Sequence, residues 1–296
     1  MATGDETSVF WLDGRLIDPA AASLDLRDRG FTLGDGVFET LRVAGGVPLR
    51  WRLHVERLRG ALATTAIGLP LSDEDLRAAV DSCLAAGQLD GGAIRISVSR
   101  GVGRERGLLP AGRGVPTVAV EARPSSGYPP ELYERGMAVV VSTIPRNERS
   151  PLSRIKSLSY LENVLARAEA RDAGCDEAIV LNTGGRVAGA SAANVFAVAG
   201  STLATPPVTD GALPGTIRRL ISEQLCATLG LTVCEQRLSL AELEAADEVF
   251  LTNALLGVMP VTSIAGRPVG SGLPGPVTSG LAAALALSER LVRRRR

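Results

Sequence analysis

The period of the apolar positions changes several times along the chain. "SVFWLDGRLID" (8–18) reads as strand, turn and strand. "VFETLRVAGGVPLR" (37–50) holds two extended runs joined at Gly45-Gly46, a tight hairpin pair because both positions accept positive φ. From 50 to 66 the period lengthens to that of a helix, with Leu53, Leu58 and Leu62 on one side. "SDEDLRAAVDSCLAAG" (72–87) opens on Ser72, a good N-cap, and carries acids in its first turn, where the helix dipole favours them. Two β-rich runs follow, at 92–101 and 115–124. "RPSSGYPPEL" (123–132) breaks all periodicity with Pro, Ser and Gly and predicts a linker.

Beyond it, "MAVVVSTIP" (137–145) predicts a strand. A helix is expected from about Leu158, with Leu158, Leu161, Leu165 and Ala168 at helical spacing, ending near Gly174. "EAIVLNTGGRVAGASAANVFAV" (177–198) reads as strand, glycine turn, loop and strand. "LPGTIRRLISEQLCATLG" (213–230) opens on Leu-Pro-Gly and runs as a helix, and 248–264 is β-rich. The pattern predicts an α+β protein with antiparallel strands in each half: an N-terminal α/β domain over 1–123, a linker at 124–130 and a C-terminal domain over 131–296.

Composition narrows the function. The 296 residues are 45% hydrophobic and 22% charged with zero net charge, an ordinary globular balance with no nucleic-acid footprint. The basic run at the C-terminus reads as a frayed, solvated tail. No apolar stretch is long enough to span a bilayer and the acidic N-terminus lacks a signal-peptide pattern, so a cytoplasmic location is expected. The four cysteines form no CxxC pair and His54 is the single histidine, which argues against a zinc site and predicts no bound metal. His54 lies within the helical run, where a packed or surface role is the expectation.

One residue stands out. Lysine and arginine together number 32, yet Lys156 is the only lysine. Arginine keeps its proton in proteins, whereas lysine can lose it and act as a nucleophile. An arginine-biased chain keeps a lysine by chance, or because chemistry requires one: a Schiff base with a carbonyl substrate or with pyridoxal phosphate. The second reading needs a phosphate site. Gly215, Thr216 and Ile217 at a helix start suit an anion, and Arg57 offers a bidentate clamp.

Five segments in order resemble the fold-type IV pyridoxal phosphate enzymes, the class IV aminotransferase family. They are "DRGFTLGDGVFETLRV", "LHVERL", "IKSLSYLENVLARAEARDAGCDEAIVLN", "LPGTIRR" and "ADEVFLTNALLGVMPV". The resemblance implies a two-domain protein, a homodimer, and an active site at the domain interface. It puts the Schiff base on Lys156 and the phosphate on Arg57, Gly215, Thr216 and Ile217. Tyr160 is placed to bond the cofactor's phenolic oxygen, and Asn253 lies on a cofactor-facing strand. "TNALLGVMPV" and "SRGVGRERGLLP" lean towards aminodeoxychorismate lyases. They make Arg106 or Arg104 a receptor for a substrate carboxylate, with Phe38 facing the cofactor. The implied reaction converts 4-amino-4-deoxychorismate to 4-aminobenzoate and pyruvate, feeding folate synthesis. The alternatives are a D-amino acid or branched-chain aminotransferase and a catalytically weakened cofactor-binding homologue. The weakened form is considered because Gly189 stands where the family pattern has the glutamate that pairs with the pyridine nitrogen.

Overall fold

The computed structural model describes residues 8–103, 107–110 and 114–294. Its contacts divide the chain into two units: Met1–Gly127 with Ile155–Tyr160, and Tyr128–Arg154 with Leu161–Arg296. The boundary at Gly127 falls inside the linker read from the sequence. The lysine segment does not follow the sequence division, for it packs with the first unit.

The first unit contains strands β1 (Val9–Leu12), β2 (Arg15–Ile17), β3 (Gly36–Ala44), β4 (Val47–Pro48), β5 (Gly91–Ser99) and β6 (Thr117–Arg123), and helices α1 (Arg29–Leu33), α2 (Trp51–Thr65) and α3 (Asp73–Ala86). The strands form one sheet in the order β2-β1-β6-β5-β3-β4. Gly45 and Gly46 close the β3–β4 hairpin at φ 63° and 67°. Ser72 caps α3 in a reciprocal box with Asp75, which satisfies two otherwise orphan groups. The core lies between the sheet and the buried sides of α2 and α3, with Leu41, Val80, Ile94 and Val120 fully enclosed. On α2 the buried side is His54, Val55, Leu58, Ala61 and Leu62. Leu53 is only half-buried, because a five-residue step from Leu58 rotates it off the 3- and 4-residue spacing of a helix face.

The second unit contains α4 (Pro130–Arg135), β7 (Met137–Val141), α5 (Leu161–Asp172), β8 (Glu177–Leu181), β9 (Val187–Ala190), β10 (Asn194–Ala199), β11 (Thr202–Thr205), α6 (Thr216–Leu220), α7 (Cys226–Thr228), β12 (Thr232–Glu235), α8 (Leu240–Glu244), β13 (Glu248–Asn253), β14 (Gly257–Ile264), β15 (Arg267–Pro268) and α9 (Pro276–Arg294). A π-helical turn, Ile221–Leu225, joins α6 to α7 without a break. The sheet order is β12-β11-β10-β13-β14-β7-β8-β9, with β15 on β14. Alternate residues of β13 serve two cores. Val249 and Leu251 face one cluster with Val195 and Met259. Phe250 faces the other, with Phe196, Ile217 and Leu220.

Two expectations change here. The stretch 187–190, read as loop, is strand β9, antiparallel to β8 with Val180 opposite Gly189. The helix begins at Leu161 rather than Leu158. Residues 156–158 instead run beside β3: Phe38 N donates to Lys156 O (2.8 Å) and Leu158 N to Gly36 O (2.9 Å). Helix α5 buries Ala166 and Ala170 against Ala178 and Val180 and leaves Leu161, Val164 and Leu165 exposed. Small residues win the inner side because they let helix and sheet approach closely.

Candidate active site

In the first unit, Lys156 is held by its own backbone. The bridge Val37–Ser157 and the flanking hydrogen bonds fix residues 156–158 as an extended rung beside β3. Gly36 permits the approach: a Cβ there would lie 2.6 Å from Leu158 Cδ1 and 2.5 Å from Val98 O. The Lys156 amine sits 4.2 Å from the centre of the Phe38 ring and 5.0 Å from that of Tyr160. These rings meet edge to face at 5.2 Å. Burial, with the nearby Arg57 charge, pulls the ammonium down to about 8. At neutral pH a usable fraction of the amine is therefore already deprotonated.

Arg57 projects from α2 onto β3. Its Nε and Nη2 each donate to Glu39, at 2.7 Å. Glu39 is 1% exposed and also meets His54 Nδ1 at 2.7 Å. Burial alone would raise the Glu39 carboxyl, but the Arg57 charge and the hydrogen bonds from Arg57 and His54 outweigh it and bring it to about 2. Burial lowers His54 below its usual value despite that carboxylate. A neutral imidazole facing an ionised carboxylate carries its proton on Nδ1. Glu39 thus fixes the Arg57 guanidinium in one plane and orients His54.

Arg95, on β5, stacks its guanidinium 3.9 Å from the Phe38 ring centre, so Phe38 has two cationic neighbours, Arg95 and Lys156. Burial lowers the Arg95 pKa from its usual value. Sequence reasoning missed both Arg95 and the Glu39–His54 pair. The two residues sought for substrate, Arg104 and Arg106, lie outside the described residues.

In the second unit, Gly215 caps α6 with extended backbone. A Cβ at Gly215 would lie 1.9 Å from Asn194 Oδ1, so a side chain here would have to displace the Asn194 carboxamide. Asn194 Nδ2 donates to Leu213 O at 2.7 Å and anchors the turn that presents Gly215, Thr216 and Ile217. Thr216 and Ile217 are buried. Asn253 has a local role: its Oδ1 accepts from Leu255 N and Leu256 N, and its Nδ2 donates to Ala192 O. Its carboxamide shapes the β13–β14 turn.

At Gly189, a Cβ would sit 3.1 Å from Ala193 O. A buried carboxylate does stand on this sheet. Glu177 accepts from Ser191 Oγ and from Ala178 N, and it pairs with Arg167 at 2.8 Å. Asn163 in turn donates to Ser191 O. Gly189 itself contributes no charge.

Each unit taken by itself carries features that fit pyridoxal phosphate: in the first, an amine lowered towards neutrality beside two aromatic rings; in the second, a helix start opened by a glycine.

The description "Amino-transferase class IV" matches residues 36–264. The chain is 35% identical over 273 residues to a "Putative branched-chain-amino-acid aminotransferase" of Methanocaldococcus jannaschii, covering 92% of this chain and 93% of that one. Among solved structures, the Escherichia coli branched-chain amino acid aminotransferase superposes with a TM-score of 0.88. It is 30% identical, over 92% of this chain and 91% of that one. The 4-amino-4-deoxychorismate lyase from Pseudomonas aeruginosa does so with 0.81 and 34% identity, over 93% and 97%. Both lyase and aminotransferase relatives therefore share this architecture, and the fold-type IV expectation is borne out. The chain belongs to the class IV aminotransferase family, whose members are pyridoxal phosphate-dependent enzymes.

Proposed function

We propose that the protein is a pyridoxal phosphate-dependent lyase acting on 4-amino-4-deoxychorismate and releasing 4-aminobenzoate and pyruvate. The observation that carries this reading is Gly189. When bound, the cofactor supplies an aldehyde that captures amines and a ring that accepts electron density. A carboxylate beside the ring nitrogen strengthens that acceptor by an amount on the order of several kcal/mol in a dry site. Transamination draws on it most, because the proton must return to the cofactor. Elimination of pyruvate is helped along by aromatisation of the product, so a lyase tolerates a glycine at this position better.

Lys156 Nζ takes the proton from the ring carbon that bears the substrate amine and returns it to the departing pyruvyl group. Phe38 and Tyr160 wall the amine from water. In the first unit Arg57, held by Glu39, offers the phosphate an oriented guanidinium; in the second unit the start of α6 offers it backbone N–H groups. Arg95 offers a substrate carboxylate a guanidinium already oriented on Phe38, with Arg104 and Arg106 as further receptors. The exposed apolar side of α5 supports a homodimer, which light scattering would test.

A second reading is an aminotransferase, favoured by the similarity to the Methanocaldococcus jannaschii protein. One experiment separates them. Purified protein carrying the cofactor is given 4-amino-4-deoxychorismate or single amino donors. Release of 4-aminobenzoate without conversion to the pyridoxamine form supports the lyase. Conversion by branched-chain or D-amino acids without aromatic product refutes it.

A further inference from the structure

The Phe38 face of the first-unit sheet carries a cation that the described residues do not neutralise by contact. Strand register puts Phe38 opposite Ser97 and Thr40 opposite Arg95, so all four side chains share one face. Arg95 leans off its own rung towards Phe38. Its Nε donates to Ser97 Oγ at 3.2 Å, and its guanidinium lies 3.9 Å from the Phe38 ring centre. On its other side stands Glu121 of β6, which accepts a hydrogen bond from Ser8 Oγ at 3.2 Å. Among the described residues no carboxylate forms an ion pair with Arg95. A half-buried guanidinium without a contacting counter-ion has lost hydration that an anion from outside would replace.

Tyr160 packs on the same ring. It meets Phe38 edge to face, with centres 5.2 Å apart, and the Lys156 amine lies 5.0 Å from the centre of its own ring. Burial lowers the Arg95 pKa, while Glu121 and the Tyr160 phenol act on it in the opposite sense. The phenol therefore stands within electrostatic reach of the guanidinium. Both side chains are half-buried, so a ligand can touch them. Around Phe38 the chain thus gathers three polar ends: the Lys156 amine, the Arg95 guanidinium and the Tyr160 hydroxyl.

We propose that Arg95 and Tyr160 form a two-donor subsite for one substrate carboxylate, the guanidinium holding one oxygen and the phenol O–H the other. The inference rests on the reading of Arg95 as a carboxylate receptor and adds a second binding residue to it. It gives the Tyr160 hydroxyl to the substrate, where the family resemblance gives it to the phenolic oxygen of the cofactor. A carboxylate has two oxygens and only accepts, so it matches two donors brought to it from different elements. Stacking on Phe38 holds the guanidinium plane, and Ser97 fixes its reach, so little freedom is lost when the anion arrives.

The test uses the full-length chain supplied with pyridoxal 5'-phosphate and compares acids with their neutral amides by calorimetric titration. The pairs are 4-aminobenzoate with 4-aminobenzamide, and 4-methylpentanoate with its amide, so that either a lyase or an aminotransferase has a suitable probe. Wild type should prefer at least one acid over its amide. Tyr160→Phe keeps the ring and removes only the hydroxyl. It should weaken that acid about ten- to hundredfold, the range for a hydrogen bond to a charged group. The amide, the cofactor affinity and the visible absorption of the bound cofactor should not change. Arg95→Met with Tyr160→Phe should bind the acid little more weakly than Arg95→Met alone, because the two residues serve one group. Fully additive losses would place them on different groups and overturn the shared subsite. Equal weakening of acid and amide would mark a packing role and overturn it too. A shifted cofactor absorption with unchanged acid affinity would return the hydroxyl to the cofactor. If wild type prefers neither acid, the reading of Arg95 falls and this proposal with it. If it does and Tyr160→Phe keeps the full preference, only this proposal falls.

Discussion

Glu39→Gln is the most informative single change in the first unit. It preserves shape and removes one charge from the Arg57–Glu39–His54 cluster. The drop of Glu39 from 4.5 to about 2, at about 1.4 kcal/mol per pH unit, corresponds to about 3 kcal/mol of folding stability. Because the folded value is depressed, this stability is fully present above pH 4.5. It is lost as the pH falls through about 2. The gap between wild type and Glu39→Gln should thus be about 3 kcal/mol at pH 7 and smaller at pH 3. The chain's two tryptophans both report on the affected unit: Trp11 lies in its core and Trp51 packs against it. Urea unfolding followed by tryptophan fluorescence at pH 7, 4 and 3 reads the gap directly. A gap below about 1 kcal/mol at pH 7, or one that does not shrink on acidification, would refute the assignment of Glu39 as an ionised, paired carboxylate.

Other changes probe the chemistry. Lys156→Arg keeps the charge but not the removable proton, and turnover should fall by about 10²-fold or more. In the cofactor-free chain, capture of the pyridoxal 5'-phosphate aldehyde should quicken with pH through about 8 as Nζ deprotonates; a flat capture rate from about pH 6.5 to 9 would remove Lys156 as the nucleophile. Arg95→Met should raise KM about ten- to hundredfold with a smaller change in kcat, as expected for loss of a charged hydrogen bond to substrate. An unchanged KM would exclude Arg95 from substrate binding. Gly189→Glu should raise aminotransferase side activity relative to lyase activity, at some cost in stability because the φ of 158° and the Ala193 carbonyl 3.1 Å from the new Cβ both strain the position. Equal effects on both activities, measured by product release and pyridoxamine formation, would sink the electronic argument.

Much of the fold is legible in the sequence where structure is local. The hairpin at Gly45-Gly46 and the cap at Ser72 depend on neighbouring residues, and both form as expected. Lys156 stands out in the sequence as the only lysine, and its role remains the proposal made above. The Glu39–His54–Arg57 cluster is not, because its members meet only when α2 packs on β3. Arg95 looks like any arginine on an alternating strand until Phe38 is placed beside it. The start of α5 is hidden because Leu158 continues the helical spacing, while its backbone is captured by Gly36. Asn253 gives no sign in sequence that its carboxamide closes a turn.

The hexapeptide Ile155–Tyr160 joins the first unit although the chain on both sides of it belongs to the second. The first unit is therefore discontinuous, and residues 128–154 are an excursion within it. During synthesis, β3 waits for its Lys156 rung until residue 160 has emerged, long after the rest of the unit is available. Closing that long loop costs entropy that local contacts do not repay. Completion of the first unit, and with it the placement of Lys156, is thereby coupled to a chain that has already entered the second. A fragment ending at Gly127 would have the sheet but neither the amine nor the rung that positions it.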